Sequence, residues 1–474
     1  MIENTRYLKY KFYNGNFIMI IETINPANEE IINRYPIFDI KKINNLIDNA
    51  HDSYNLWRKE SINTRKILML NLVQILKERK NQYVKLMALE MGKPINEGFA
   101  EIDKCIYVCE YFATKAESFL KPKIIKLKNK KSKVYYQPLG IVFAIMPWNF
   151  PFWQVFRSAA PTLMAGNAVI LKHAPITTGC GLAITELFKD AGFPLNLFQH
   201  FILDNELASH VISNEKISAV TFTGSEQTGA TVASIAGKFL KKTVLELGGN
   251  DPYIILKDAD LSKAASSIVS SRLNNCGQVC IAAKRIIAVN EVIDKLTKKI
   301  IELTNNYNMG DPLDLKTTIG PMARDDLRKK LHLQVLSSIA KGAKLLKGGD
   351  IPKCRGFYYP ITILTDVVPG MPAFDDELFG PVLSIINARD EDDAIKLANK
   401  SRYGLGASIF TQDVIKGERI AINDLEVGTC YVNGMVISDP NLPFGGIKCS
   451  GFGRELAREG ILEFINIKTI SVIV

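Results

Sequence analysis

The sequence predicts an α/β protein with two parallel-sheet domains and a separate β arm, on three observations. From Gly140 onward, apolar runs of strand length alternate with helical segments of about ten to fifteen residues, the pattern of a parallel sheet covered on both faces. A second alternating series runs from Asp251 to about Cys430. Two strand-like segments, residues 121–138 and the terminal "NIKTISVIV", have no obvious local partner and together read as a protruding sheet that pairs between subunits.

The elements follow in chain order. Residues 1–18 are polar and aromatic without clear periodicity and read as an extension, open to disorder, or as a misassigned start before Met19. "MIIETINPANEEIINRYP" gives a strand, an Asn-Pro turn and a second strand. Helical periodicity covers "IKKINNLIDNAHDSYNLWRK" and a longer run from Thr64 that ends at Gly92, before a proline. The first alternating series has strands at "GIVFAIMPWNFP", "GNAVILKHAP", "LFQHFIL", "AVTFTG" and "KTVLELGG". Strands of the second lie near "PYIIL", "RIIAVN", "FYYPITIL", "GPVLSII" and "GASIF". No internal repeat or low-complexity linker interrupts them.

Composition narrows the class. The chain of 474 residues is 47% hydrophobic and 23% charged, as in an ordinary soluble protein of two or three domains. A net charge of +10 raises the question of nucleic acid. The lysines are scattered among acidic residues, however, and the one dense basic run, "KPKIIKLKNKKSK", reads better as an edge strand defended against unwanted pairing. Eight cysteines in so long a chain fit a reducing cytoplasm better than a disulfide framework. The start lacks the order of a signal peptide, and no apolar run approaches the roughly 18 residues of a membrane span. The five histidines are isolated, so no metal site is expected.

Candidate site residues cluster at strand ends. The usual G-x-G-x-x-G fingerprint is missing, and "GFGREL" has no strand leading into it. Gly224 and Ser225 instead close strand "AVTFTG" and open a helix, whose free N–H groups suit a pyrophosphate but equally suit a simple cap. Lys172 ends its strand at the same sheet edge; taken alone it reads equally as a solvated lysine. Cys280, in "NNCGQVCIAAKR", has four readings: buried packing, metal ligand, half of a redox pair, or nucleophile. Glu246 shifts the balance toward the last. It ends an apolar strand against a double glycine, and a buried carboxylate with a raised pKa serves as a base near neutral pH. A Cys280 nucleophile, a Glu246 base and an amide donor such as Asn149 would suffice to oxidise an aldehyde through a thioester.

The stretches "MPWNFP", "LKHAP", "FTGS", "LELGGNDP", "GQVC", "DDELFGPV" and "PFGGIKCSGFGRE" together resemble the aldehyde dehydrogenase superfamily, in order and at family spacing from about residue 19 onward. The resemblance implies an aldehyde dehydrogenase-like fold. It has a Rossmann-type dinucleotide-binding domain (19–120 and 139–245), an α/β catalytic domain (246–430) and a β oligomerisation arm (121–138 and 454–474) that assembles homodimers or homotetramers. It places the nucleophile on Cys280, the base on Glu246 and the oxyanion amide on Asn149. Cofactor contacts fall on Trp148, Lys172, Gly224, Ser225, Glu377 and Phe379, the last two holding the nicotinamide ribose.

Two departures bear on chemistry. Many family members carry a glutamate three residues after the lysine, on the adenosine ribose; here Pro175 stands there, which removes repulsion toward a 2′-phosphate. NAD or NADP is expected, with a lean to NADP. Cys276 lies four residues before Cys280; were this stretch helical, the two sulfurs would face one way and an inhibitory disulfide would be open to them. The closest subgroup resemblance is to bacterial succinate-semialdehyde dehydrogenases. Arg157, eight residues after Asn149, matches a carboxylate-binding arginine of related enzymes, and otherwise reads as a salt-bridge residue. A second such arginine is replaced by Asn274, and Arg272 would point elsewhere on a helix. Ser438 adds a hydrogen bond. Succinate semialdehyde is therefore the expected substrate, with medium-chain or aromatic aldehydes as the alternative. A CoA-acylating enzyme would dispense with Glu246, a plain hydrolase with the cofactor motifs. A non-catalytic nucleic-acid binder on this scaffold has only the +10 charge in its favour.

Overall fold

The computed structural model describes residues 7–13, 16–127 and 130–473. A six-stranded sheet runs in the order Gly451–Phe452, Lys242–Glu246, Ile217–Thr223, Ile141–Met146, Ala168–His173, Phe198–His200. All neighbours are parallel except the antiparallel Gly451–Phe452. The chain steps outward from Ile141–Met146 through two strands, then crosses back to place Ile217–Thr223 on the other side. Such a reversal leaves a crevice at the carboxyl ends of the two central strands, where open α/β sheets bind ligands.

A seven-stranded sheet has the order Lys344–Lys347, Thr362–Thr365, Val382–Ala388, Arg285–Val289, Pro252–Ile255, Gly406–Phe410, Thr429–Val432. Each sheet fills its own large apolar cluster: Phe143, Ile170, Leu171 and Val220 in one, Ile254, Ile286, Ile385 and Ile409 in the other. These are the near-continuous aliphatic runs that parallel strands buried on both faces require. Two strands fall short of the sequence pattern. "FYYPITIL" contributes only Thr362–Thr365, because Pro360 has no N–H to give a ladder. Lys344–Lys347 is a short, exposed antiparallel edge that alternation could not reveal.

The first four helices are Ile40–Trp57, Ile62–Glu78, Lys80–Met91 and the 26-residue Ile95–Leu120. The run expected to be continuous to Gly92 breaks at Arg79, which leaves helical dihedrals (φ −100°, ψ 13°). Gly92 ends the second piece in the left-handed region at φ 78°, where a Cβ would press on Pro321.

Within the segment expected as an extension, Leu8–Tyr13 forms a strand antiparallel to Asn16–Ile24. Tyr7 is buried beside Trp148, Ile176 and Ala323. Residues 1–6, 14 and 15 lie outside the described residues.

The arm segments pair within the chain: Ile465–Ile473 lies antiparallel to Lys130–Pro138, which also pairs with Lys123–Leu127. Residues 454–464, expected in the arm, instead include the helix Ala457–Leu462. Phe464 packs under the first sheet with Val142, Ala219 and Val244. Asn167 ties this joint, its Oδ1 accepting from Gly140 N at 2.9 Å and its Nδ2 donating to Phe464 O at 3.0 Å. Among the described residues no helix is long and apolar enough to cross a membrane.

Candidate active site

A cavity of about 990 Å³ opens at the carboxyl ends of Ile141–Met146 and Ile217–Thr223 and extends to Cys280. Its wall brings together Trp148, Asn149, Lys172, Pro175, Gly224, Ser225, Glu377 and Phe379, residues from four separate stretches. Gly224 N donates to Glu246 O at 3.0 Å, which ties this turn to the neighbouring strand end. Ser225 caps the helix Glu226–Lys238, its Oγ accepting from Thr228 N at 3.4 Å. Lys172 is buried at the end of Ala168–His173, and Pro175 opens the short 3-10 turn Pro175–Thr177. Trp148 meets Phe379 edge to face at 5.8 Å. Glu377 is held by Lys284 Nζ at 3.2 Å and accepts from Gly249 N at 3.2 Å. Arg324, Lys330 and Tyr7 also line the cavity; no sequence spacing pointed to them.

The stretch carrying Cys280 is not a helix, which corrects the premise for facing sulfurs. The helix Leu261–Leu273 ends, and Asn275, Cys276 and Gly277 follow with φ of 52°, 55° and 71°. Three consecutive left-handed residues are strained for all but glycine. Gly277 is required for a second reason: a Cβ there would collide with the Gly380 carbonyl. The turn sends Cys276 into the core of the second sheet, while Cys280 is partly buried at the cavity; both are free thiols.

Hydrogen bonds hold the strained turn from several sides. Asn275 N donates to Glu97 Oε2 at 2.8 Å, and Asn275 Nδ2 to Asn149 O at 2.7 Å. Asn149 Nδ2 donates to Gln278 O at 2.9 Å, and Gln278 Oε1 accepts from Ala323 N at 3.0 Å. Lys284 Nζ donates to Val279 O at 2.9 Å and to Cys280 O at 2.5 Å. Asn149 is thus fixed against the thiol-bearing loop, and its amide keeps a second N–H to offer.

Behind the thiol lies a buried charge cluster. Glu246 is 2% exposed, and its Oε1 has no hydrogen-bond partner among the described residues. Arg157, also 2% exposed, pairs with Glu455 and lies 4.9 Å over the Phe444 ring. Burial, then the Glu455 charge, raises the Glu246 carboxyl well above its usual range, against the pull of Arg157 and Arg454. Glu455 is raised as well, again chiefly by burial. Burial pushes the Cys280 thiol up to about 11; Lys284 and Arg157 pull it down, and Glu377 and Glu246 push it further up. Ser438 is buried and accepts from Lys104 Nζ at 2.7 Å.

The sequence reading missed Glu97, Lys104, Lys284, Gln278 and Glu455. Three of them lay in quoted stretches, Gln278 and Lys284 in "NNCGQVCIAAKR" and Glu455 as the acid closing "PFGGIKCSGFGRE", while Glu97 and Lys104 carried no signal. Arg272, set aside as pointing elsewhere, donates to the carbonyls of Val382 and Leu378, both at 2.5 Å, inside the second domain. Among the described residues no group of three His, Cys, Asp or Glu could hold a metal ion.

The thiol's position has a measurable consequence in the cofactor-free protein. With a pKa of about 11, thiolate grows about tenfold per pH unit throughout the neutral and mildly alkaline range. Inactivation by iodoacetamide should therefore accelerate steadily from about pH 7 to 10. A plateau reached below about pH 9 would show that the cations outweigh burial.

Three comparisons bear on this arrangement. The aldehyde dehydrogenase family matches residues 14–470. A probable succinate-semialdehyde dehydrogenase [NADP(+)] of Synechocystis sp. is 44% identical over 95% of this chain and 99% of that protein. The succinate semialdehyde dehydrogenase [NAD(P)+] of Escherichia coli is 43% identical over 94% and 97%. Among solved structures, succinic semialdehyde dehydrogenase from Streptococcus pyogenes, in complex with NADP+, superimposes with a TM-score of 0.93 at 34% identity, over 95% of this chain and 99% of that one. The chain belongs to the aldehyde dehydrogenase family.

Proposed function

We propose that this protein oxidises succinate semialdehyde to succinate with NADP+ or NAD+, NADP+ being preferred. The observation that carries the reading is the position of Cys280, where a cavity of dinucleotide size meets a buried carboxylate and a group of cations. The relatives' names point to the same reaction.

In this reading the six-stranded sheet belongs to the dinucleotide-binding domain and the seven-stranded sheet to the catalytic domain. Gly224 and Ser225, at the start of a helix, receive the pyrophosphate. Lys172 and the carboxylate-free turn at Pro175 accept the adenosine ribose with its 2′-phosphate. Glu377, already braced by Lys284, holds the nicotinamide ribose, with Phe379 packed on Trp148 beside it. The bound nicotinamide supplies a hydride acceptor.

Cys280 attacks the aldehyde carbon as thiolate, and the second N–H of Asn149 with the Cys280 backbone N–H stabilises the oxyanion. Loss of hydride from that carbon leaves a thioester. Glu246 takes a proton from water, whose hydroxide adds to the thioester; succinate leaves and the sulfur is released. Arg157 and Ser438 face the carboxylate end of the substrate.

The arm supports a further part of the proposal, assembly into a homodimer or homotetramer in the cytoplasm. Ile467, Ile470, Val472 and Ile473 are exposed along the outer strand of the arm sheet, the kind of edge that pairs with a second copy. Ile470→Lys with Val472→Lys should lower the mass seen by light scattering to that of one chain. A mass unchanged by both lysines would place the interface elsewhere.

Initial rates decide the substrate. With NADP+, kcat/KM for succinate semialdehyde should exceed that for butanal, which lacks the carboxylate, by roughly tenfold or more, and NADP+ should outperform NAD+. Equal rates on both aldehydes would favour the alternative, a broad-specificity aldehyde dehydrogenase for medium-chain or aromatic substrates. Glu246→Gln should retain one rapid turnover, a burst near one NADPH per site. Its steady state should then slow by about a hundredfold or more, the usual scale of a lost general base. A steady state left unslowed would remove Glu246 from the hydrolysis step.

A further inference from the structure

Lys104 is a cation near the thiol that the proposed mechanism leaves unused. It lies on the helix Ile95–Leu120, whose residues at positions 97, 101 and 104 share one face. The first two are committed. Glu97 holds the Asn275 amide. Glu101 pairs with buried Lys93, and its Oε1 accepts from Phe152 N at 2.8 Å and Trp153 N at 2.9 Å, where the helix carrying Arg157 begins. Lys104 makes no ion pair among the described residues; its ammonium donates to Ser438 Oγ at 2.7 Å and lies 4.3 Å over the Trp153 ring.

Its setting is electrostatically that of an anion site. Burial and the charge of Arg157 push the Lys104 ammonium down to about 8, while Glu101 and Cys280 act in the opposite sense. The side chain keeps some access to solvent. The loop bearing Ser438 rests on the same helix again one turn on, where Asn441 Nδ2 donates to Tyr107 OH at 2.6 Å. Arg157, by contrast, is buried and already paired with Glu455. A partly desolvated ammonium held only by neutral partners gains most from an incoming carboxylate.

We infer that Lys104, with Ser438, is the direct anchor for the distal carboxylate of the substrate, and that Arg157 acts on that carboxylate through the field of its ion pair. This assignment rests on the proposal that the substrate is an aldehyde with a distal carboxylate. Lys104 Nζ and Ser438 Oγ would donate to the two carboxylate oxygens while Cys280 attacks the aldehyde at the other end.

The test is the ratio of kcat/KM for succinate semialdehyde to that for butanal, measured for the whole enzyme with saturating NADP+. In Lys104→Met the ratio should fall roughly ten- to a hundredfold, through KM more than kcat. Lys104→Arg should restore most of it. Competitive inhibition by succinate should weaken in parallel in Lys104→Met, and this reading needs no turnover. Should the methionine variant fail to fold, Lys104→Gln keeps a polar tip and carries the same expectation. A wild-type ratio near one would overturn both the substrate reading and this anchor. A high wild-type ratio left unmoved by Lys104→Met or Lys104→Gln would overturn the anchor alone.

Discussion

One guanidinium facing two buried carboxylates governs the site. Arg157 pairs with Glu455 and acts on Glu246, and all three side chains are at most 5% exposed. Breaking such a buried set by removing one partner commonly costs about 3–5 kcal/mol, because the remaining charges are stranded without water. The cluster therefore behaves as a unit whose protons belong to the pair of acids rather than to either one. The position of Arg157 is itself secured. Glu101, anchored by Lys93, caps the first turn of the helix that carries it. Repositioning any of these groups would shift the charge on Glu246 and, through it, on Cys280.

The thiol is held by a different device, backbone strain balanced by convergent hydrogen bonds. A left-handed run at Asn275–Gly277 would relax if left alone. Glu97 and Asn149, from two separate segments, and the adjoining Gln278 each bond to it. Glu97 is itself raised to about 7, chiefly by burial, so the negative end of this bond is at risk when the medium is acidified. Because burial raises that pKa, ionising Glu97 as the pH climbs from about 4.5 through about 7 lowers the stability of the folded chain, even though the carboxylate is the stronger acceptor for the Asn275 N–H.

Much of this was legible in the sequence because parallel strands and their ends leave local marks. Aliphatic runs such as "VFAIM" and "AVIL" and the glycines after them located the crevice without reference to tertiary structure. Lys172, Gly224, Ser225 and Glu246 were identifiable because each sits at a strand end. The turn at Asn275–Gly277 was not, since it depends on long-range packing: the Gly380 carbonyl against Gly277, and Glu97, 178 residues away from Asn275 in sequence. Lys104 was invisible for the same reason. On a helix of ordinary periodicity it looks like one solvated lysine among many, until the fold sets Trp153 and Ser438 around it.

The charges around the thiol also suggest why the two halves of the proposed reaction need not interfere. Glu246 in its ionised form raises the thiol, and a thiolate in turn disfavours ionisation of Glu246. Burial holds both groups neutral before attack, and the thiolate that attacks, stabilised by Lys284 and Arg157, opposes ionisation of Glu246 until the sulfur is bonded. Once a thioester forms, the sulfur carries no charge and that opposition ends. Glu246 then loses a source of repulsion while keeping the attraction of Arg157 and Arg454, so its pKa falls when a base is next required. A single buried carboxylate can in this way stay out of the first step of the proposed reaction and serve the second, the charge on Cys280 adding to the burial and the Glu455 charge that already set its pKa.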